Sequence, residues 1–229
     1  MHIPDGYLGP ITCGAMYAAM LPVWATASRR VKTTLKARQV PLLAIGAAFS
    51  FVIMMFNVPI PGGTTGHAVG AVLVAILLGP WAACIAVTVA LVVQALLFGD
   101  GGVTAIGANS FTMAFIEVFA GYYLYQLISA GAPVTSGRRV WAAAIAGYVA
   151  INMAALSAAA LFGLQPLLHK TAAGESLYCP YGLNVAIPTM MIGHLLVFGW
   201  VEALVTALVV KYLQKQDPSL LDAAAKRPL

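Results

Sequence analysis

The sequence predicts an all-α, multi-pass membrane bundle of about seven transmembrane helices, and three observations carry that prediction. Of its 229 residues 61% are hydrophobic and only 8% are charged, whereas a soluble domain has about a quarter of its residues charged. The apolar residues gather into seven runs, and the basic residues gather in alternate connections between them. With no long linker between the runs, the chain reads as a single transmembrane domain over residues 1–229.

Taken in order, the chain opens on MHIPDGYLGP, where Pro4, Gly6, Gly9 and Pro10 discourage a regular helix. The leader lacks the basic residues that start a secretory signal, so it is expected to be kept and inserted into the bundle. The apolar runs follow at roughly 11–28, 40–57, 66–79, 81–98, 109–129, 140–164 and 185–211, each read as a span. The first connection is RRVKTTLKAR (residues 29–38), the fifth ends in Arg138 and Arg139, and Lys211, Lys215, Lys226 and Arg227 follow the last span. Eleven of the twelve Lys and Arg thus fall on one side and only Lys170 on the other. By the positive-inside rule the N-terminus lies outside and the C-terminus in the cytoplasm. The net charge of +5 is a topology signal, and no nucleic-acid partner is expected.

The third run is short. Its fourteen residues span only about 21 Å, against a hydrocarbon core of about 30 Å. If Gly79-Pro80 turns at the cytoplasmic interface, the outer end of this helix, marked by His67, stops inside the membrane. The non-helical PIPGGTTG before it survives at that depth only where protein buries it or a cavity wets it. An extended ten-residue leader reaches about 33 Å, enough to bring Met1 and His2 to His67.

Met1 and His2 together are a chelator. The α-amine of Met1, the amide nitrogen of His2 and its Nδ1 can close a five- and a six-membered ring around one ion. Three planar nitrogens plus a fourth from His67 suit Ni(II) or Cu(II), with Co(II) as a further guest, whereas zinc prefers a tetrahedron. Among the other polar residues in apolar surroundings, His194 is a candidate outer partner of a ligand ring, as a ligating imidazole is usually oriented by a hydrogen bond. Asp5 is a candidate counter-charge or loop anchor, Glu202 an interhelical partner, and His169 a solvated loop residue. Cys13, Cys84 and Cys179 form no metal-binding spacing and read as small packing residues, although Cys179, in a polar loop, could react.

The opening MHIPDGYLGP, the loop PIPGGTTGHAVG, the GPW turn at residues 79–81 and LLFGDGGVTAIGANSFTMA at residues 96–114 resemble the CbiM/NikM family. These are the substrate-binding (S) components of bacterial nickel and cobalt energy-coupling factor (ECF) transporters. The resemblance implies high-affinity capture of Ni(II), or of Co(II) as second choice, for ATP-driven uptake across the bacterial cytoplasmic (inner) membrane. It implies Met1, His2 and His67 as metal residues, with Thr64, Asn109 and Ser110 brought to the same pocket. It also implies an ECF transmembrane coupling (T) component, a cytoplasmic ATPase pair and a small extra membrane component as partners. No cofactor is implied; the ion is the substrate. Two residues depart from the family pattern: Thr112 replaces an expected Asn, and Glu117 puts a carboxylate near a usual Gly-Pro. Both bear on metal preference.

There is no GxxxxGK[ST] loop, no HExxH and no nucleophile elbow in the chain, so it is not expected to be an enzyme, and ATP hydrolysis falls to a separate subunit. A vitamin-binding ECF S component, or another small-solute carrier, is the alternative with similar architecture. Such a protein has no use for Met1, His2 and His67 together.

Overall fold

The computed structural model describes residues 1–35, 39–62 and 64–225. Part of the basic first connection (residues 36–38), Gly63, Lys226 and Arg227 lie outside the described residues. After the leader come α1 (Pro10–Thr34), α2 (Val40–Met54) and a hairpin of β1 (Val58–Ile60) and β2 (Thr64–Gly66). These are followed by α3 (Ala71–Leu78), α4 (Pro80–Phe98), α5 (Ile106–Ser129), α6 (Gly137–Leu168), α7 (Leu183–Gln216) and a short α8 (Pro218–Ala225). The architecture is helical, and among the described residues four helices, α4 to α7, are by length and composition long and apolar enough to cross a membrane.

The elements keep the expected order, but two boundaries move. Helix α1 continues through Arg29, Arg30 and Lys32 to Thr34, since nothing in that stretch breaks a helix. The third run yields only the eight helical residues of α3, about 12 Å of rise. Gly70 caps its start with φ 71°, in the left-handed region, and a Cβ there would press on Phe49 at 2.3 Å. His67 to Gly70 therefore stay non-helical.

Small residues set the packing. Ala142, Ala143, Ala146, Ala150, Ala154 and Ala158 are buried along α6, letting α5 and α7 approach closely. A Cβ on Gly121 of α5 would meet Val72 at 2.3 Å and Ala150 at 3.1 Å. The outer surface carries Leu96, Leu97, Trp141, Leu196, Leu204 and Leu208, an apolar face of the kind lipid covers.

Two ends of the bundle can be told apart. At one, the Arg30 guanidinium stacks 5.8 Å from the Trp81 ring, and Gln214 Nε2 donates to the Val134 and Ser136 carbonyls at 2.7 and 2.9 Å. Basic stretches of α1, α6 and α7 thus gather there. At the other end the leader docks, with the Gly9 amide donating to Gln165 Oε1 at 2.9 Å and the Cys179 amide to the Tyr7 carbonyl at 3.1 Å.

Three helices contain a π turn: Gln94–Phe98 in α4, Ser110–Glu117 in α5 and His194–Phe198 in α7. Such turns re-aim side chains and concentrate at functional sites. Each begins on a buried polar residue of, or next to, the region where the leader ends.

Candidate functional site

The leader enters the bundle as an extended strand held by side chains. Asn109 clamps Ile3 from both sides, its Oδ1 accepting from the Ile3 amide at 2.9 Å and its Nδ2 donating to the Ile3 carbonyl at 3.1 Å. The Gly102 amide also donates to that carbonyl at 2.8 Å. A Cβ on Gly102 would sit 2.5 Å from the Asp5 nitrogen, so only glycine lets the leader lie this close. Asp5 receives the Val103 and Thr104 amides at 3.1 and 2.9 Å and a short hydrogen bond from the Thr104 hydroxyl. That hydroxyl holds the exposed Asp5 carboxyl below its usual range. Asp5 is a loop anchor.

This anchoring buries Met1, His2 and Ile3 to 0, 3 and 0% exposure. The Met1 amine lies 3.5 Å from Thr65 Oγ1, and the Thr64 hydroxyl donates to the His2 carbonyl at 3.0 Å. The rings of His2 and His67 face each other with centroids 4.5 Å apart and planes tilted by 32°. Met1, His2 and His67, the three residues read as a set from the sequence, meet in one buried place.

Each imidazole has one nitrogen committed to an oxygen. Gln94 Oε1, which can only accept, lies 3.2 Å from His2 Nε2; in the tautomer that donates to it, Nδ1 is bare. The Ala68 carbonyl lies 3.1 Å from His67 Nδ1, which by the same reasoning leaves His67 Nε2 bare. Both bare nitrogens are buried without a hydrogen-bond partner. An unmade bond at a buried polar atom is costly, and two such lone pairs beside an amine are what a cation with nitrogen preference would satisfy. Burial pushes the Met1 amine down to about 4. Burial, with the neighbouring terminal amine, takes the His2 ring to about 3. Near pH 7 both are neutral. Among the described residues no three His, Cys, Asp or Glu side chains form a group that could hold a metal ion.

The His67 backbone is fixed from across the bundle. Glu202 Oε2 on α7 accepts from the Val69 and Gly70 amides at 2.8 and 2.9 Å, fixing the loop between His67 and α3. The sequence flagged Glu202 as an interhelical partner; it bonds to loop backbone instead. His194 bonds through Nδ1 to the Met190 carbonyl at 2.8 Å and leaves Nε2 unpartnered. Its ring lies 5.3 Å from that of Phe198, and Phe198 fills the space where a Gly66 side chain would stand. His194 therefore reaches the His67 loop by packing. Ser110, next to Asn109, is buried with an unpartnered hydroxyl, and no hydrogen bond joins it to the leader. Thr112 bonds only back to the Asn109 carbonyl, at 3.1 Å. Glu117 is fully buried with both carboxylate oxygens unpartnered.

One expectation is corrected and one is sharpened. His169 is not merely solvated: its Nε2 lies 3.4 Å from Thr12 Oγ1, and its ring occupies the space above Gly9, because the leader folds back onto that loop. Cys179 is 2% exposed, covered by the same contact, and so is a packing residue. The sequence reading missed Thr65, Gln94 and Asp100. Gln94 stands out as the one amide in the run VVQALLF, and Asp100 as the acid of GDGG.

The fold recurs in known proteins, and so does the sequence over nearly its whole length. Residues 2–220 match the CbiM family, described as a cobalt uptake substrate-specific transmembrane region. The chain is 52% identical over 96% of its length to the fused nickel transport protein NikMN of Rhodobacter capsulatus, of which it spans 64%. It is 53% identical to a probable fused nickel transport protein, LarMN, of Lactiplantibacillus plantarum, over 96% of its own length and 66% of that protein's. A putative metal transport protein of Methanocaldococcus jannaschii is 47% identical and is covered over 94% of its length. The chain thus spans slightly less than two thirds of the fused relatives. Crystal structures of a transition metal transporter and of a truncated one superpose with a TM-score of 0.90 each. Their identities are 59 and 58%, over 95 and 94% of this chain and 94 and 99% of theirs. With a family match over nearly its whole length and the same fold at high identity, the chain belongs to the CbiM family, whose named members transport nickel or cobalt.

Proposed function

We propose that this protein captures Ni(II), with Co(II) as second choice, through the Met1 amine, the His2 amide and Nδ1, and His67 Nε2. It then serves ATP-driven uptake as the S component of an ECF transporter. The observation that carries the reading is the pair of buried ring nitrogens without a hydrogen-bond partner, on two rings from residues 65 positions apart whose centroids lie 4.5 Å from each other, with a buried terminal amine on the residue before His2. Four nitrogens of this kind favour a planar ion. Thr64, Asn109 and Asp5 hold the leader in place; Glu202, and His194 through Phe198, hold the His67 loop. Names of relatives agree, being nickel and cobalt transport proteins.

The chain has no nucleotide-binding loop, so the energy comes from other subunits: a T component, a cytoplasmic ATPase pair and a small extra membrane component. All seven helices up to α7 cross or enter the bacterial inner membrane, with the basic end cytoplasmic. Metal analysis and the absorption spectrum of the purified protein test the reading. One equivalent of nickel with the spectrum of a planar, low-spin ion is expected; a protein that binds neither nickel nor cobalt overturns it.

A further inference from the structure

Two acids are buried in the bundle where no base answers them. Glu117 on α5 and Glu202 on α7 are each 0% exposed. Glu202 commits Oε2 to the Val69 and Gly70 amides at 2.8 and 2.9 Å, so its carboxyl lies at the start of α3. Glu117 comes to the same place from another helix. Gly121, four residues on and so on the same face of α5, is pressed against α3, where a Cβ would meet Val72 at 2.3 Å. The two carboxyl groups are close enough for the charge of Glu202 to act on Glu117. Thr206, one turn beyond Glu202 on α7, is also 0% exposed and sets its hydroxyl beside the Glu202 carboxyl.

Four oxygens there make no hydrogen bond: Glu117 Oε1 and Oε2, Glu202 Oε1 and Thr206 Oγ1. Among the described residues no Lys or Arg forms an ion pair with either acid, and an unpaired charge at such depth is costly. A proton on Glu117 would remove its charge, but would add an O–H with nothing to receive it and leave the other oxygens unanswered. One cation answers all four. Carboxylate and hydroxyl oxygens suit a six-coordinate divalent ion, unlike the planar nitrogens of the terminal centre. The acids also stand apart from that centre. Asn109, which clamps the leader, and His194, which packs toward the His67 loop, each lie eight residues before an acid on the same helix, about two turns nearer the outer end. We propose that Glu117, Glu202 and Thr206 form a second cation site, made of oxygen donors, which takes the transported divalent ion between the nitrogen centre and the basic end. The inference rests on the reading of the chain as a metal transporter and extends it by a step of passage.

The test is titration of the purified full-length protein with Ni(II) beyond one equivalent, in wild type, Glu117→Gln, Thr206→Val and His67→Ala, reading the visible spectrum and the magnetic susceptibility at each addition. Wild type is expected to take a planar, diamagnetic equivalent first, then a weaker one with the paramagnetic spectrum of a six-coordinate, oxygen-bound ion. Glu117→Gln keeps the first and loses the second. Thr206→Val weakens the second at least about tenfold, the scale of a supporting group at a metal site. His67→Ala loses the planar equivalent and keeps the other. Wild type that saturates at the planar equivalent overturns the inference, as does a second equivalent that survives Glu117→Gln or disappears in His67→Ala. If Glu117→Gln does not fold, an unchanged second equivalent in Thr206→Val overturns it. Wild type that takes only the oxygen-bound equivalent overturns the nitrogen centre and leaves this site standing; wild type that takes neither overturns both.

Discussion

At the scale of single residues the centre depends on which atom carries each proton. His67→Ala removes one of two bare nitrogens, and His2→Ala removes the other; both are expected to weaken nickel binding by more than about a hundredfold, read by calorimetry, while the protein stays folded. His169→Ala loses packing over Gly9 and Thr12, and is expected to lower stability by about 1 kcal/mol with metal stoichiometry unchanged. Proton counting is a sharper check. The amine and the His2 ring have lowered values, about 4 and about 3, so they are already neutral at pH 7 and shed nothing when metal arrives. The proton released is then that of the His2 amide, about one per ion, measured by calorimetry in buffers of different ionisation enthalpy. Because both are bases with lowered values, affinity falls more steeply only below about pH 4, where they too must lose a proton to bind. Release of three protons at pH 7 would contradict the buried, neutral amine and ring. The three residues that meet in the buried place, Met1, His2 and His67, could be picked out in the sequence, because a terminus able to chelate and a histidine after PGGTTG need no fold to be noticed. Gln94 and Asp100 were not, since each meets His2 from more than ninety positions away and only the bundle brings them together.

At the scale of elements, the short α3 is the working part. Its rise of about 12 Å leaves His67 below the end of the bundle, and Glu202 holds its start. Glu202→Ala strands two buried amides, costing on the order of 2 kcal/mol or more, and loosens His67. Glu202→Gln keeps an acceptor. The alanine variant is expected to bind nickel at least about tenfold more weakly and the glutamine variant nearly as wild type; identical affinities in all three would detach Glu202 from the centre. On α1, Gly14, Ala15, Ala18 and Ala19 form an exposed small-residue face that suits close approach by another helix. If it meets the T component, Ala15→Leu or Ala19→Leu abolishes co-purification and uptake while the isolated protein still binds metal. Unchanged assembly would leave that face without a role. Helix order and the irregular loop were readable from apolar runs, glycine and proline. The hairpin was not, because its three pairs are too few to leave an alternating pattern. The π turns were not either, as one added residue per turn leaves no mark in composition.

At the scale of the whole molecule, the two ends do different work: basic residues gather at one, and the inserted N-terminus closes the other. The account stands on that terminus, since without its amine and amide the described side chains do not make a metal site. Adding one glycine before Met1 is the most direct test, because it displaces the amine while leaving every side chain in place. Measured by calorimetry on the folded, purified protein, the extended chain is expected to lose tight nickel binding and the planar nickel spectrum. Native stoichiometry and affinity in the extended chain would contradict the account.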